Sequence, residues 1–189
     1  MEEFQDDIIQ SINVFRNDGI ILYPTDTIWG IGCQATNEAA IKKIYQLKKR
    51  DEKKSMIILV SNASEIELYA SKPSTKLLDI LANSKKPVTA IFASAINLPS
   101  LIINEDDTIA IRIVKDDFCN TLIRESGTPL VSTSANISGE IYPPNFYDIS
   151  EEIKSGVDYI VQHRRNDFNI YQPSSIIRLN SSGEIETIR

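Results

Sequence analysis

Apolar residues in the first part of the chain recur at helical spacing. Phe4, Ile8, Ile9, Ile12 and Phe15 fall on one face, and Gly19 stands where a helix would stop. The run Ile20, Ile21, Leu22 predicts a strand over 20–23, ended by Pro24, which has no N–H to give a ladder. A second short strand is expected through Ile28–Cys33. Asn37 is placed to cap a helix from Glu38 to about Leu47, with Ala40, Ile41, Ile44 and Leu47 inward. Met56–Val60 is continuously apolar, as in a strand buried on both faces. Beyond it, 64–70 and 74–83 read as helices, and Val88–Phe92 and Ile109–Val114 as strands. Asp116 or Asp117 opens a helix to about Glu125, and Gly127 ends it. Leu130–Thr133 is a strand that runs into Ser134-Ala135-Asn136. A helix near 148–155 and strands at 158–161, 175–179 and 184–188 complete the pattern.

Helices alternate with strands, and several connections are long enough for crossovers. This predicts an α/β fold, a twisted open mixed sheet flanked by helices, forming one domain over residues 1–189. The stretches 94–108 and 136–147, rich in Asn, Pro and Asp, are expected loops. The chain is 42% hydrophobic and 24% charged, an ordinary globular composition.

Charge narrows the function classes. Net charge is −6 and the pI about 4.9, which argues against a general nucleic-acid binder. No apolar run approaches the roughly 20 residues of a membrane span. The first 18 residues carry Glu2, Glu3, Asp6 and Asp7, unlike a signal peptide, so a cytoplasmic location is expected. Cys33 and Cys119, 86 positions apart, are expected reduced and buried. No Cys/His cluster has metal-ligand spacing. His163 is the only histidine, and its flanks Gln162 and Arg164-Arg165 read as a solvated strand end, which disfavours triad chemistry.

Against the acidic background, seven of the thirteen residues from Lys42 to Lys54 are Lys or Arg. This is either a solvated helix end or a set of cations converging on an anion. Thr25-Asp26-Thr27 follows a strand. It is either a turn bonded through its own side chains or a set of donors where open α/β sheets place ligands. Ser132-Thr133-Ser134-Ala135-Asn136 is either a loop with an Asx turn or a cradle of hydroxyls and amides. Arg112, four places into an apolar strand, either faces solvent or meets a carboxylate in a cleft. There is no Gly-rich phosphate loop.

Taken in order, Tyr23-Pro24-Thr25-Asp26-Thr27-Ile28-Trp29-Gly30, Lys48-x-Arg50, Ile109-Ala110-Ile111-Arg112, Ser132-Thr133-Ser134-Ala135-Asn136-x-Ser138-Gly139 and Pro173-Ser174-Ser175 closely resemble the YrdC/TsaC family, the threonylcarbamoyl-AMP synthases. The resemblance runs from about residue 8 to 189 and matches the short, single-domain form. It implies a YrdC-like sheet with one concave, positively lined cavity. It also implies a reaction in which L-threonine, bicarbonate and ATP give threonylcarbamoyl-AMP and pyrophosphate. The adenylate would feed modification of tRNA adenosine 37 by separate proteins. Magnesium would enter with ATP as substrate, with no tightly bound organic cofactor.

By position, Thr27, Arg112, Ser132 and Ser174 resemble the threonine pocket. Arg50, Lys54, Thr108, Ser134, Tyr142 and Arg189 resemble the nucleotide side. Lys48 and Asn136 would join Arg50 and Ser134 in a catalytic cradle. The chain departs from the family pattern at Ser84-Lys85-Lys86-Pro87-Val88-Thr89, where Trp-Pro-Gly-Pro-x-Thr is usual. It departs again at Ile113–Asp117 and at Arg178, which replaces a common acidic residue. The competing reading is a non-catalytic module for double-stranded RNA or tRNA, with segment 42–54, Lys85-Lys86 and Arg164-Arg165 as one basic stripe. Carbamoyl transfer to another acceptor, as in hydrogenase maturation, is a third.

Overall fold

The structure, a computed structural model, describes residues 4–51 and 56–189. Fourteen elements follow in chain order: α1 (Gln5–Phe15), β1 (Ile21–Tyr23), β2 (Gly30–Gln34), α2 (Glu38–Leu47), β3 (Ile57–Val60), α3 (Thr75–Asn83), β4 (Val88–Phe92), β5 (Ile109–Ile113), α4 (Asp117–Ser126), β6 (Leu130–Ser134), α5 (Glu151–Ser155), β7 (Tyr159–Ile160), β8 (Ser175–Leu179) and β9 (Ile185–Thr187).

The caps lie where their residue types belong. The Asn37 side chain accepts from Ala40 N, and that of Asp116 from Cys119 N. Gly127 ends α4 with φ 69°, a left-handed conformation that a side chain would strain. Two expectations are corrected. The helix expected over 64–70 is a 3₁₀ turn, Ala63–Leu68, whose first amides, Ser64 N and Glu65 N, donate to the Asn62 side chain. The helix expected from 148 begins at Glu151, because Ser150 caps it, and Phe146–Asp148 is a separate 3₁₀ turn capped by Asn145.

The strands form one mixed sheet in the order β7-β1-β2-β6-β3-β5-β4-β8-β9. The pairs β1–β7, β3–β5 and β4–β8 are parallel and the remaining pairs antiparallel. Alternation along each strand divides the apolar residues between two cores. Leu22, Ile31, Ile58, Val60, Ile111 and Val131 pack toward α2, α3 and α5. Ile21, Tyr23, Leu59 and Leu130 pack toward α1 and α4. Buried side chains on both faces explain the continuous apolar run at β3.

Period-two alternation also locates the site. Gly30, Ile57, Ala110, Arg112, Ser132 and Ser134 fall between the residues of the larger core. They therefore face the side that α1 and α4 cover. Those two helices shield only part of that side, and a hollow opens over the rest.

Candidate functional site

The hollow measures about 390 Å³. Thr27, Arg50, Arg112, Ser132, Ser134, Tyr142, Ser174 and Arg189 line it, with Trp29, Met56, Ile57 and Ile91 as apolar wall. Hydroxyls and guanidinium groups from the beginning, middle and end of the chain thus meet in one place.

Thr25-Asp26-Thr27 supplies one wall. Thr25 Oγ1 lies 2.8 Å from Thr27 Oγ1, donates to Ile28 O at 2.9 Å and accepts from Thr27 N at 3.0 Å. It is both a self-bonded turn and part of the lining. Arg112 on β5 is 4% exposed. Its Nη1 donates to Thr27 Oγ1 at 2.8 Å, and its Nη2 lies 3.2 Å from Asp26 Oδ1. The carboxylate that the buried arginine required is the protein's own Asp26. Arg112 Nε is buried and has no hydrogen-bond partner among the described residues.

On the far wall, Ser174 Oγ and Thr89 Oγ1 share a hydrogen bond at 2.7 Å. Arg189 is fixed beside them, its Nε and Nη2 donating to Ser174 O at 3.3 and 3.1 Å. Tyr142 OH donates to Gln172 at 3.2 Å. Burial lowers the Arg50 pKa, and burial together with the Arg112 charge lowers that of Arg189. Positive charge crowds the site, and an anion would relieve it.

Lys48 departs from expectation. It does not line the hollow. Its side chain is 1% exposed, and Nζ donates at 2.5 Å to both Ser134 O and Asn136 O. Burial, with the charge of Arg50, lowers its pKa to about 7. Two main-chain carbonyls are the partners that let a lysine be buried here. Lys48 thus clamps the strand end that presents Ser134.

Asn136 does not line the hollow either. Its Nδ2 donates to Ile137 O and Glu140 O at 3.0 and 2.7 Å, fixing the following turn. This is not an Asx turn, because Asn136 Oδ1 accepts no hydrogen bond among the described residues and the amide nitrogen alone holds the turn, while Ser132 and Ser134 line the hollow. Lys54 lies outside the described residues.

Thr108 borders a second, larger hollow of about 1310 Å³, where its hydroxyl donates to Asp106 Oδ1 at 2.6 Å. Ile91 and Asn104 line both hollows, so the two adjoin.

His163 is not a solvated strand end. Its ring packs 5.1 Å from Phe4 and 5.8 Å from Phe118, and its backbone N donates to the buried Asp7. Both cysteines are buried and unbridged. Among the described residues, several cations of the basic stripe have intramolecular partners. Lys42 pairs with Glu38 and Lys49 with Glu152. Arg165 donates to Val161 O and Ile160 O, and Arg164 bonds Asp167 and Thr25 O. Lys85 and Lys86 are exposed and border neither hollow.

The sequence reading missed Asp26 as the partner of Arg112, and Trp29 and Met56 as apolar wall. Asp26 carried a signal, since a buried arginine demands a carboxylate and Asp26 adjoins a residue already singled out.

No helix among the described residues is long and apolar enough to cross a membrane. A family model described as "Telomere recombination" and labelled Sua5, YciO and YrdC matches residues 13–189. The threonylcarbamoyl-AMP synthase of Pseudoalteromonas translucida is 30% identical over 160 residues, covering 83% of this chain and 86% of that protein. The threonylcarbamoyl-AMP synthase of Idiomarina loihiensis is 32% identical over 146 residues, covering 76% and 78%. Among solved structures, a variant of P. abyssi Sua5 superimposes with TM-score 0.85 at 25% identity. That likeness covers 100% of this chain and 57% of the Sua5 chain, so this chain spans a little over half of that protein's length.

Proposed function

The chain belongs to the Sua5/YciO/YrdC family, and we propose that it is an L-threonylcarbamoyladenylate synthase. The observation that carries the reading is the convergence of Thr27, Arg50, Arg112, Ser132, Ser134, Ser174 and Arg189 on one hollow. Support comes also from curated relatives named for this product and covered over most of their length.

The chemistry suits such a lining. The threonine amine adds to bicarbonate and water is lost, giving a carbamate. A carbamate oxygen attacks the α-phosphorus of ATP, the bond to the bridging oxygen breaks, and pyrophosphate leaves. Every reacting partner is an anion by then, so the work is charge neutralisation and alignment rather than attack by a protein nucleophile.

In this reading Arg112, held by Asp26 and Thr27, turns its positive charge toward the threonine carboxylate, while Thr27 and Ser174 mark out the amino-acid end. Arg50, Ser134 and Arg189 meet the phosphates. Lys48 acts through the backbone it clamps. The nucleotide's outer part continues past Ile91 and Asn104 toward Thr108, in the adjoining hollow. Magnesium comes in on the ATP oxygens as part of the substrate. We extend the proposal to the setting: one cytoplasmic domain, nucleotidyl transfer as the reaction class, and an adenylate handed on for tRNA modification at adenosine 37.

Pyrophosphate release is the test. Purified protein with MgATP should release pyrophosphate only when threonine and bicarbonate are both present, and threonylcarbamoyl-AMP should accumulate by mass spectrometry. Release independent of threonine, or none at all, overturns the proposal.

A further inference from the structure

Arg164 occupies a conformation that a non-glycine residue adopts only under constraint, with φ 61°. Its guanidinium shows what the constraint serves. Nη1 donates to Thr25 O at 3.0 Å, 139 residues away in the chain. Nε and Nη2 both reach Asp167 Oδ2 at 3.2 Å, and the group lies 5.0 Å over the Tyr171 ring. Asp167 is itself held by the Tyr171 hydroxyl at 2.9 Å and by Asn169 N at 3.0 Å. Burial pushes the Asp167 carboxyl upward, but these donors and Arg164 outweigh it and leave its pKa below the usual range.

The carbonyl that Arg164 grips belongs to the turn that forms the site wall. From Thr25 the bonds run on through Thr25 Oγ1 to Thr27, from Thr27 Oγ1 to Arg112, and from Arg112 to Asp26. Arg112 on β5 holds the turn at Thr27 and Asp26, and Arg164 holds it at the Thr25 carbonyl. A small hollow bounded by Thr25, Thr27, Arg164, Asp167 and Tyr171 lies between the turn and the 164–171 segment.

We propose that Arg164 is a positioning residue, which fixes the Thr25–Thr27 turn so that Thr27 and Arg112 are set for the amino-acid end of the substrate. This role rests on the proposed threonine site. Arg164 does not line that site, and the contact that joins it to the site wall is its bond to the Thr25 carbonyl.

Arg164→Gly separates side chain from backbone, because glycine adopts positive φ freely. The variant should still fold, with a melting temperature lowered by the loss of the Asp167 ion pair, so the binding and exchange readouts are taken well below it. Amide hydrogen exchange of a peptide covering 23–30 should accelerate. The dissociation constant for threonine should rise on the order of tenfold, the worth of one charge-assisted hydrogen bond. ATP affinity should stay near the wild-type value. Arg164→Lys, which keeps one donor, should recover part of the threonine affinity. Unchanged exchange over 23–30 overturns the bracing of the turn, whatever the enzyme does. Altered exchange with unaltered threonine affinity, or an equal loss for ATP, overturns the positioning role. A wild-type protein that does not bind threonine overturns the enzymatic reading, and this role with it.

Discussion

Asp26 and Arg112 lie 3.2 Å apart with both side chains nearly sealed from solvent, one on a turn and the other near the end of strand β5. The strand residue forces the pairing. Leu59 on β3 and Thr89 on β4 flank Arg112 in register, so its guanidinium has no exit sideways and must be met where it ends. Removing one member of such a pair leaves the other charge buried alone. Asp26→Ala should therefore destabilise the protein by about 3–5 kcal/mol in urea denaturation. Asp26→Ala combined with Arg112→Met should cost clearly less than the sum of the singles. Additive losses would mean that the two do not interact.

Arg50 differs because it is only half-buried at the wall of the hollow. Arg50→Ala should reduce the rate of adenylate formation by about 10²–10³, the range seen when one stabilising donor is removed from a reaction site. Its urea midpoint should move by less than about 1 kcal/mol equivalent. Full retention of pyrophosphate release would remove Arg50 from the reaction.

Lys48 gives the protein a pH signature. Its folded-state pKa is lowered to about 7 by burial and by Arg50, while in the unfolded chain it keeps the usual lysine value near 10.4. Between those values the unfolded state holds a proton that the folded state has released. Stability should therefore rise as pH increases from about 7 toward 10, and the contribution should be flat below pH 7. Urea midpoints measured from pH 6.5 to 9.5 should show this slope, and Lys48→Met should abolish it. A slope that survives the substitution would assign the titration to another group.

Gly32 tests the packing between β2 and β6. A Cβ there would sit 2.4 Å from Val131 O and 2.7 Å from the Tyr23 ring. Neither the strand backbone nor a buried tyrosine can give way cheaply. Gly32→Ala should lose about 1–3 kcal/mol or more in thermal denaturation and weaken substrate binding, since Gly32 faces Ser132 across the ladder. A variant as stable as wild type would show that the two strands can separate there.

Much of this was legible from the order of residues. The bounds of α2, β4 and β8 follow from local apolar periodicity and a cap, which neighbours in sequence decide. Thr27, Ser132 and Ser134 could be suspected because polar groups cluster at strand ends, Arg50 because it ends a basic run, Arg112 because it interrupts an apolar strand, and Ser174 only through the family resemblance. Lys48 was misjudged because its partners are main-chain carbonyls 86 and 88 residues away, and carbonyls leave no mark in a sequence. His163 was misjudged because its aromatic neighbours Phe4 and Phe118 come from two distant helical segments. Arg164 looked like a surface charge for the same reason, its grip on Thr25 being a product of tertiary folding. Local rules expose which residues are chemically capable, and only the closed chain decides which of them touch.

Ile91 and Asn104 stand on the divide between the two chambers. In the proposed reading a nucleotide that reaches from one chamber into the other passes over these two side chains, so their bulk bears on its fit. The enclosure works less as a sealed box than as a doorway whose sill is set by one isoleucine and one amide.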